Sequence, residues 1–357
     1  MLYTVTVNPT IDVTNELRNE DQLVTGESST YRPQAQLRHA GGKGIDVSRV
    51  IRNLGGRSVA MGFLGGFTGE LVEGLLLQDG LELDFNVIRD ETRTNVIIVV
   101  QDPKNPNSKF DYRFNSPGPR VQPYEFLELC KKIRALSRGP KERLPTHAAI
   151  CGSLCKDMQA TSYVALVRYF KEMGATVALD TSGPALKETL RYKPRPDIIK
   201  PNSDEFYELL NKQLPNGEPN ATGCGKDSDG RDSGERTPFW QDILGKVSEF
   251  RRAYPDVNAL ITLGSAGMLL WRDGELLHAR LSKEKQDKLV VQSTVGAGDT
   301  ALAGMLYELD QRRDWATGLT TALAAASAAV ELKGTESPTK EAVNAFIPGV
   351  EIHRHDL

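Results

Sequence analysis

The chain has 357 residues, a formal net charge of -3, 39% hydrophobic residues and 25% charged residues. That balance is ordinary for a globular α/β protein, whose large core needs neither disulfides nor metals. Nothing in it argues for nucleic acid or a membrane surface as the main partner, although it leaves room for local basic patches, and no run of about 18 apolar residues exists to span a bilayer. The four cysteines, Cys130, Cys151, Cys155 and Cys224, form no C-x-x-C pair. They read as free thiols, so a reducing cytoplasm is the expected compartment. The five histidines are scattered, without metal-ligand spacing.

The chain opens directly on a strand pattern, Leu2-Tyr3-Thr4-Val5-Thr6-Val7, with no visible signal peptide. Asn8-Pro9-Thr10-Ile11-Asp12 follows at the strand end. Asp12 has the chemistry to accept hydrogen bonds from two sugar hydroxyls, and it equally suits an Asx-turn. Next comes the glycine turn Ala40-Gly41-Gly42-Lys43-Gly44-Ile45-Asp46, opening a helix near Gly44 with Val47, Val50, Ile51 and Leu54 on one face. It is not a Walker A loop, but its glycines permit close approach to a ligand and Lys43 offers a cation. Ser58 to Phe63 reads as a strand, and residues 95–100 as a β-branched run. Arg93, just before that run, has the geometry to clamp a phosphate; a solvent ion pair is the alternative.

Helical spacing of Phe126, Leu129, Cys130, Ile133 and Leu136 precedes a small strand, Ala148 to Cys151. Gly152-Ser153-Leu154 leaves that strand with backbone and hydroxyl donors. Tyr163, Leu166, Val167 and Phe170 mark another helix, then Thr176 to Leu179 and Ile198-Ile199 two more strands. Lys200-Pro201-Asn202-Ser203-Asp204-Glu205 sits at a strand end. Asn202 and Glu205 fit either water-mediated Mg²⁺ binding or a capping box. Residues 213–238 are polar and rich in Gly, Asp, Ser, Asn and Pro, which reads as a surface insertion. Residues 259–263 form a strand. Leu263-Gly264-Ser265-Ala266-Gly267 then joins two apparent strands, as a plain hairpin turn or beside a nucleotide.

Thr294-Val295-Gly296-Ala297-Gly298-Asp299-Thr300 starts a helix of small residues. Glycines at a helix start converge N–H groups on an anion. An acidic residue there would repel a phosphate, unless it takes a proton from an attacking hydroxyl while the N–H groups stabilise the transferring group. The plainer alternative is that Asp299 caps the helix. Residues 322–329 suggest a helix packed tightly on the sheet. Strands alternating with helices predict a mainly parallel sheet covered on both faces. Two irregular stretches, about 11–36 and 87–114, predict a small projecting sheet.

In this order the segments resemble the ribokinase-like (PfkB-type) carbohydrate kinases, above all the 1-phosphofructokinase and tagatose-6-phosphate kinase branch. The resemblance rests on Asn8 to Asp12, Gly41 to Gly44, Thr92-Arg93-Thr94-Asn95, Pro117-Gly118-Pro119, Asp180-Thr181-Ser182-Gly183, Lys200-Pro201-Asn202 and Gly296-Ala297-Gly298-Asp299. It implies one domain, a three-layer αβα sandwich with a small β lid that often mediates dimerisation in relatives. It implies Asp299 as base, with the backbone of Ala297 and Gly298 as part of an anion hole beside Gly296. Asp12, Gly41, Gly42, Lys43, Asp46 and Arg93 would face a phosphosugar, with Ser153 close by. Lys200, Asn202, Thr262, Gly264 and Gly267 would face ATP, and Glu205 would serve Mg²⁺. The expected substrate is fructose 1-phosphate, with tagatose 6-phosphate, fructose 6-phosphate, or an unphosphorylated sugar or nucleoside as alternatives. A retired, non-catalytic sugar-phosphate-binding regulator is the rival from another class. An NAD-dependent oxidoreductase lacks its G-x-G-x-x-G after the first strand. Three departures stand out: Asp46 where the family usually has Asn, putting an anion near substrate phosphate; no prolines after Gly152-Ser153-Leu154; and the long insertion.

Overall fold

The computed structural model describes residues 1–17, 30–101, 109–212, 238–334 and 336–355. Chain order begins with β1 (Leu2–Thr6), β2 (Thr10–Glu16), β3 (Ala35–Gly41), α1 (Lys43–Asn53), β4 (Ser58–Gly65), α2 (Gly66–Gln78), β5 (Glu82–Ile88), β6 (Arg93–Gln101) and β7 (Lys109–Phe114). It continues with α3 (Pro123–Ala135), β8 (His147–Cys151), α4 (Ser162–Glu172), β9 (Thr176–Asp180), α5 (Gly183–Arg191), β10 (Ile198–Ile199), α6 (Ser203–Leu209) and α7 (Pro238–Ala253). The last third holds β11 (Asn258–Thr262), β12 (Met268–Arg272), β13 (Glu275–Leu281), α8 (Lys283–Lys288), α9 (Ala297–Asp310), α10 (Trp315–Val330), α11 (Lys340–Phe346) and β14 (Val350–His355). Residues 213–237 of the expected 213–238 insertion, with Cys224, lie outside the described residues, as do parts of both irregular stretches; Pro238 already opens α7.

The main sheet runs β14-β13-β12-β11-β10-β9-β8-β1-β4-β5. Pairing is parallel from β11 across to β5, and β12 to β14 add an antiparallel edge. Strand alternation divides the core. Tyr3, Val5, Ile150, Val177 and Leu179 face one layer with Phe170 and Phe250, while Leu2, Ala149, Ala178 and Leu260 face the other with Val47, Ala301 and Leu323. Helices cover both faces, as a parallel sheet requires.

A second sheet, β3-β2-β6-β7, stands apart. It differs from the predicted stretches at both margins. β3 continues to Gly41, because Ala40 is buried with Ile11, Ile45 and Leu64 at the junction with α1. Val87 and Ile88 instead finish β5 in the main sheet, opposite Leu64 and Gly65. The small-residue helix α10 packs on the sheet as expected, beside Leu270, Leu277 and Ala279, and it lies tighter still against α9. A Cβ added to Gly304 would lie 2.8 Å from the Thr321 carbonyl oxygen.

Successive strands go out on both sides of β1, so the order reverses between β1 and β8. Ligands in such sheets bind beyond the strand carboxyl ends at this switch point.

Candidate active site

The switch point holds two linked clusters. β9 ends in Asp180, which is fully buried. Lys43, the first residue of α1, donates from Nζ to Asp180 Oδ1 at 2.9 Å. Lys200 Nζ, just after β10, stands 3.2 Å from Oδ2, an ion pair without hydrogen-bond alignment. Burial pushes the Asp180 carboxyl up, but Lys200 and Lys43 outweigh it and hold it below the usual range. Burial likewise works against charge on Lys43, and Asp180 and Asp299 more than offset it, raising its pKa.

Asp299 is the third residue of α9 and 8% exposed. The helix cap is Gly296, in the left-handed region with φ 78°, and no side chain caps the helix. Asp299 is therefore not spent as a cap. Burial pushes its pKa well above the ordinary carboxylate range, Asp180 and Asp46 add to the rise, and Lys43 and Lys200 oppose it. Lys200 reaches the helix start because Gly298 lacks a side chain: a Cβ there would lie 3.0 Å from Lys200 Nζ. First-turn N–H groups have no acceptor within the helix, and that of Ala297 makes only a long 3.4 Å contact to the Thr294 carbonyl.

These groups open on a cleft of about 1030 Å³. Its lining includes Lys43, Lys200, Asn202, Glu205, Thr262, Gly264, Gly267 and the whole Gly296-Ala297-Gly298-Asp299 run. Asn202 and Glu205 form the capping box of α6: Glu205 N–H donates to Asn202 Oδ1 at 2.8 Å and Asn202 N–H to Glu205 Oε2 at 2.9 Å. Among the described residues no three His, Cys, Asp or Glu side chains form a metal cage. That donor set fits a cation held mainly by nucleotide phosphates and water, with one carboxylate nearby.

The second cluster, off that lining, gathers Asp12, Gly41, Gly42, Asp46, Arg93 and Ser153 around the ends of β1, β2 and β6. Asn95 Nδ2 donates to Asp12 Oδ1 at 2.8 Å. Burial raises the Asp12 pKa, partly offset by that bond. Gly41 lets the turn approach Asp12, and Gly42, with φ 141°, sits where a Cβ would meet Thr6. Arg93 donates from Nη2 to the Asn8 carbonyl at 3.2 Å, while its buried Nε has no partner among the described residues. Asn8 Nδ2 reaches across the switch point to Ser153 Oγ at 3.2 Å. Asp46 is met by Arg49 Nη1 at 2.7 Å, so its charge is partly offset inside α1 by a guanidinium that Asp79 shares. Asp180, Asn95 and Asn8 stand in the motifs that carry the resemblance, but none has an individual role in the sequence reading. Asp180 directly follows the predicted strand Thr176 to Leu179, and that position and its motif are the available signals.

A two-sided parallel sheet whose cleft joins a buried carboxylate, two lysines and a glycine-led helix start suits transfer of a phosphoryl group. Residues 6–342 match the model of the pfkB family carbohydrate kinases, and the chain belongs to that family. It is 27% identical to the 1-phosphofructokinase of Bacillus subtilis (strain 168), over 99% of this chain and 100% of that protein. It is 28% identical to the tagatose-6-phosphate kinase of Staphylococcus epidermidis (strain ATCC 12228), over 85% of this chain and 84% of the relative. The crystal structure of phosphofructokinase-2 from Escherichia coli in complex with potassium shares the fold. It has a TM-score of 0.79 and 24% identity, covering 97% of this chain and 98% of that one.

Proposed function

We propose that the chain transfers the γ-phosphate of ATP to a primary hydroxyl of a ketohexose phosphate, with fructose 1-phosphate as first substrate and fructose 1,6-bisphosphate as product. The observation that carries this is Asp299, buried in the first turn of α9 yet lining the cleft with Lys43 and Lys200. On this reading the carboxylate of Asp299 takes the hydroxyl proton as the oxygen attacks the γ-phosphorus. The bond to the bridging oxygen breaks and ADP leaves. The N–H groups of Ala297 and Gly298 stabilise charge on the transferring group. Mg²⁺, when bound with the nucleotide, neutralises phosphate charge there, and Glu205 is the residue to hold it.

Lys43 and Arg93 receive the sugar phosphate, as a cation and a guanidinium at the strand ends suit. Asp12, Gly41, Gly42 and Ser153 bind the sugar. Asp46 joins them with its charge partly offset by Arg49, which weakens the repulsion an unpaired anion would exert. Lys200, Asn202, Thr262, Gly264 and Gly267 hold the nucleotide. The second sheet acts as a lid that excludes water. Its β7 face carries exposed Phe110, Tyr112 and Phe114, which supports a homodimer joined through it. Cys130, Cys151 and Cys155 are free and buried, which suits a cytoplasmic enzyme.

The test is ADP release with fructose 1-phosphate, fructose 6-phosphate, tagatose 6-phosphate, fructose and adenosine. Highest kcat/KM with fructose 1-phosphate is expected. Preference for another phosphosugar moves the substrate, and no turnover with any acceptor defeats the kinase reading.

A further inference from the structure

The turn at residues 264–267 lines the cleft with Gly264, Ser265 and Gly267. Its internal bonds are local: Leu263 N–H donates to the Gly267 carbonyl at 2.9 Å, and Gly267 N–H to the Gly264 carbonyl at 3.2 Å. Two glycines with φ of 57° and 92° leave such a turn conformationally permissive. The paired ends of β11 and β12 hold its two sides, and β13 holds its middle. A Cβ on Gly267 would overlap the Ala279 carbonyl, so the turn lies directly on that strand. One residue earlier, His278 Nε2 meets the Ala266 carbonyl at 2.8 Å. A carbonyl only accepts, so Nε2 carries the proton and the ring donates.

The ring itself is wedged. Trp240 of α7 lies 4.5 Å away between centroids, His355 5.9 Å and His353 6.2 Å, both on β14. His278 is 7% exposed. Burial, with His355, His353 and Arg280 adding, lowers its pKa to about 4 despite the bond to Ala266. The ring is therefore a neutral donor near neutral pH.

We infer that His278 is a positioning residue for the nucleotide: its Nε2–H holds the Ala266 carbonyl and so fixes the 264–267 turn in the shape that receives ATP. The inference rests on reading this cleft as the nucleotide site. His278 acts through the turn, and it does not line the cleft.

The experiment compares wild type with His278→Leu, which has no donor, and His278→Gln, whose amide can present one to the same carbonyl. ADP affinity is measured by calorimetry, and ATP and fructose 1-phosphate kinetics alongside. The Leu variant should raise the ADP Kd and ATP KM roughly tenfold, with kcat and the sugar-phosphate KM within about twofold, and Gln should recover most of the loss. His278→Asn, too short to reach the carbonyl, replaces the Leu variant should that one not fold. Donor-lacking variants that bind ADP as wild type does, with only a lower melting temperature, overturn the inference and leave the kinase reading intact. Wild type that binds no nucleotide removes the kinase reading and this one together.

Discussion

Asp299 meets two opposed demands. A base must be ionised to work, yet burial, Asp180 and Asp46 favour its protonated form, against Lys43 and Lys200. A carboxyl whose pKa rises on folding lends stability at low pH, and that contribution is lost as pH climbs from the unfolded value through the folded one. Activity has the opposite sign, since only the ionised form accepts a proton. The acid limb of kcat/KM should therefore have its midpoint above the ordinary Asp value of about 4. A pH profile measures it, and a midpoint at or below that value would show that the carboxylate is better solvated than this site allows. Asp46 makes the same point about neighbours. Its spacing to Arg49 is readable in the sequence, but not that Arg49 turns inward, 7% exposed, to hold both Asp46 and Asp79 at 2.7 Å.

The base is only as well placed as α9, and α9 is held by α10. Ala301, Ala303, Ala322 and Ala325 are all fully buried, and Gly304 lies against the Thr321 backbone. The small residues of α10 are legible as tight packing on the sheet, but not the closer approach to α9, because small side chains let a helix approach a sheet or another helix alike. Gly304→Val should overpack the contact, costing about 1–3 kcal/mol of stability. A fall in kcat should accompany it, because the displaced helix carries Asp299. Thermal melts and kinetics on the purified variant test both; an unchanged melting temperature would contradict the packing. The strand ends tell a parallel story. Asn202 and Glu205 form the capping box their spacing allows while still lining the cleft, so neither sequence reading excludes the other.

At the scale of the whole molecule, the parallel body was legible where buried strands and amphipathic helices such as α1, α3 and α4 keep their own period, while α2, α5, α7 and α11 were not read. Nor were β5, β13 and β14. Glu82–Ile88 and Val350–His355 mix charged and apolar residues, and they become strands only by pairing with neighbours. The site was legible where a glycine or a polar residue ends a strand. It was hidden where its meaning lies in long-range partners, as for Asp180 between Lys43 and Lys200, or Asn8 across to Ser153. The lid proposal also belongs at this scale. Light scattering should find a dimer for wild type and a monomer for Phe114→Asp, since a charge on an apolar interface is costly; a dimer in both would place the interface elsewhere.

Asp299→Asn tests the central claim most directly, because it removes the base while nearly preserving shape. With ATP and fructose 1-phosphate, kcat should fall roughly 10²–10⁴-fold, while calorimetry still shows ADP binding. A kcat near that of wild type would contradict the account.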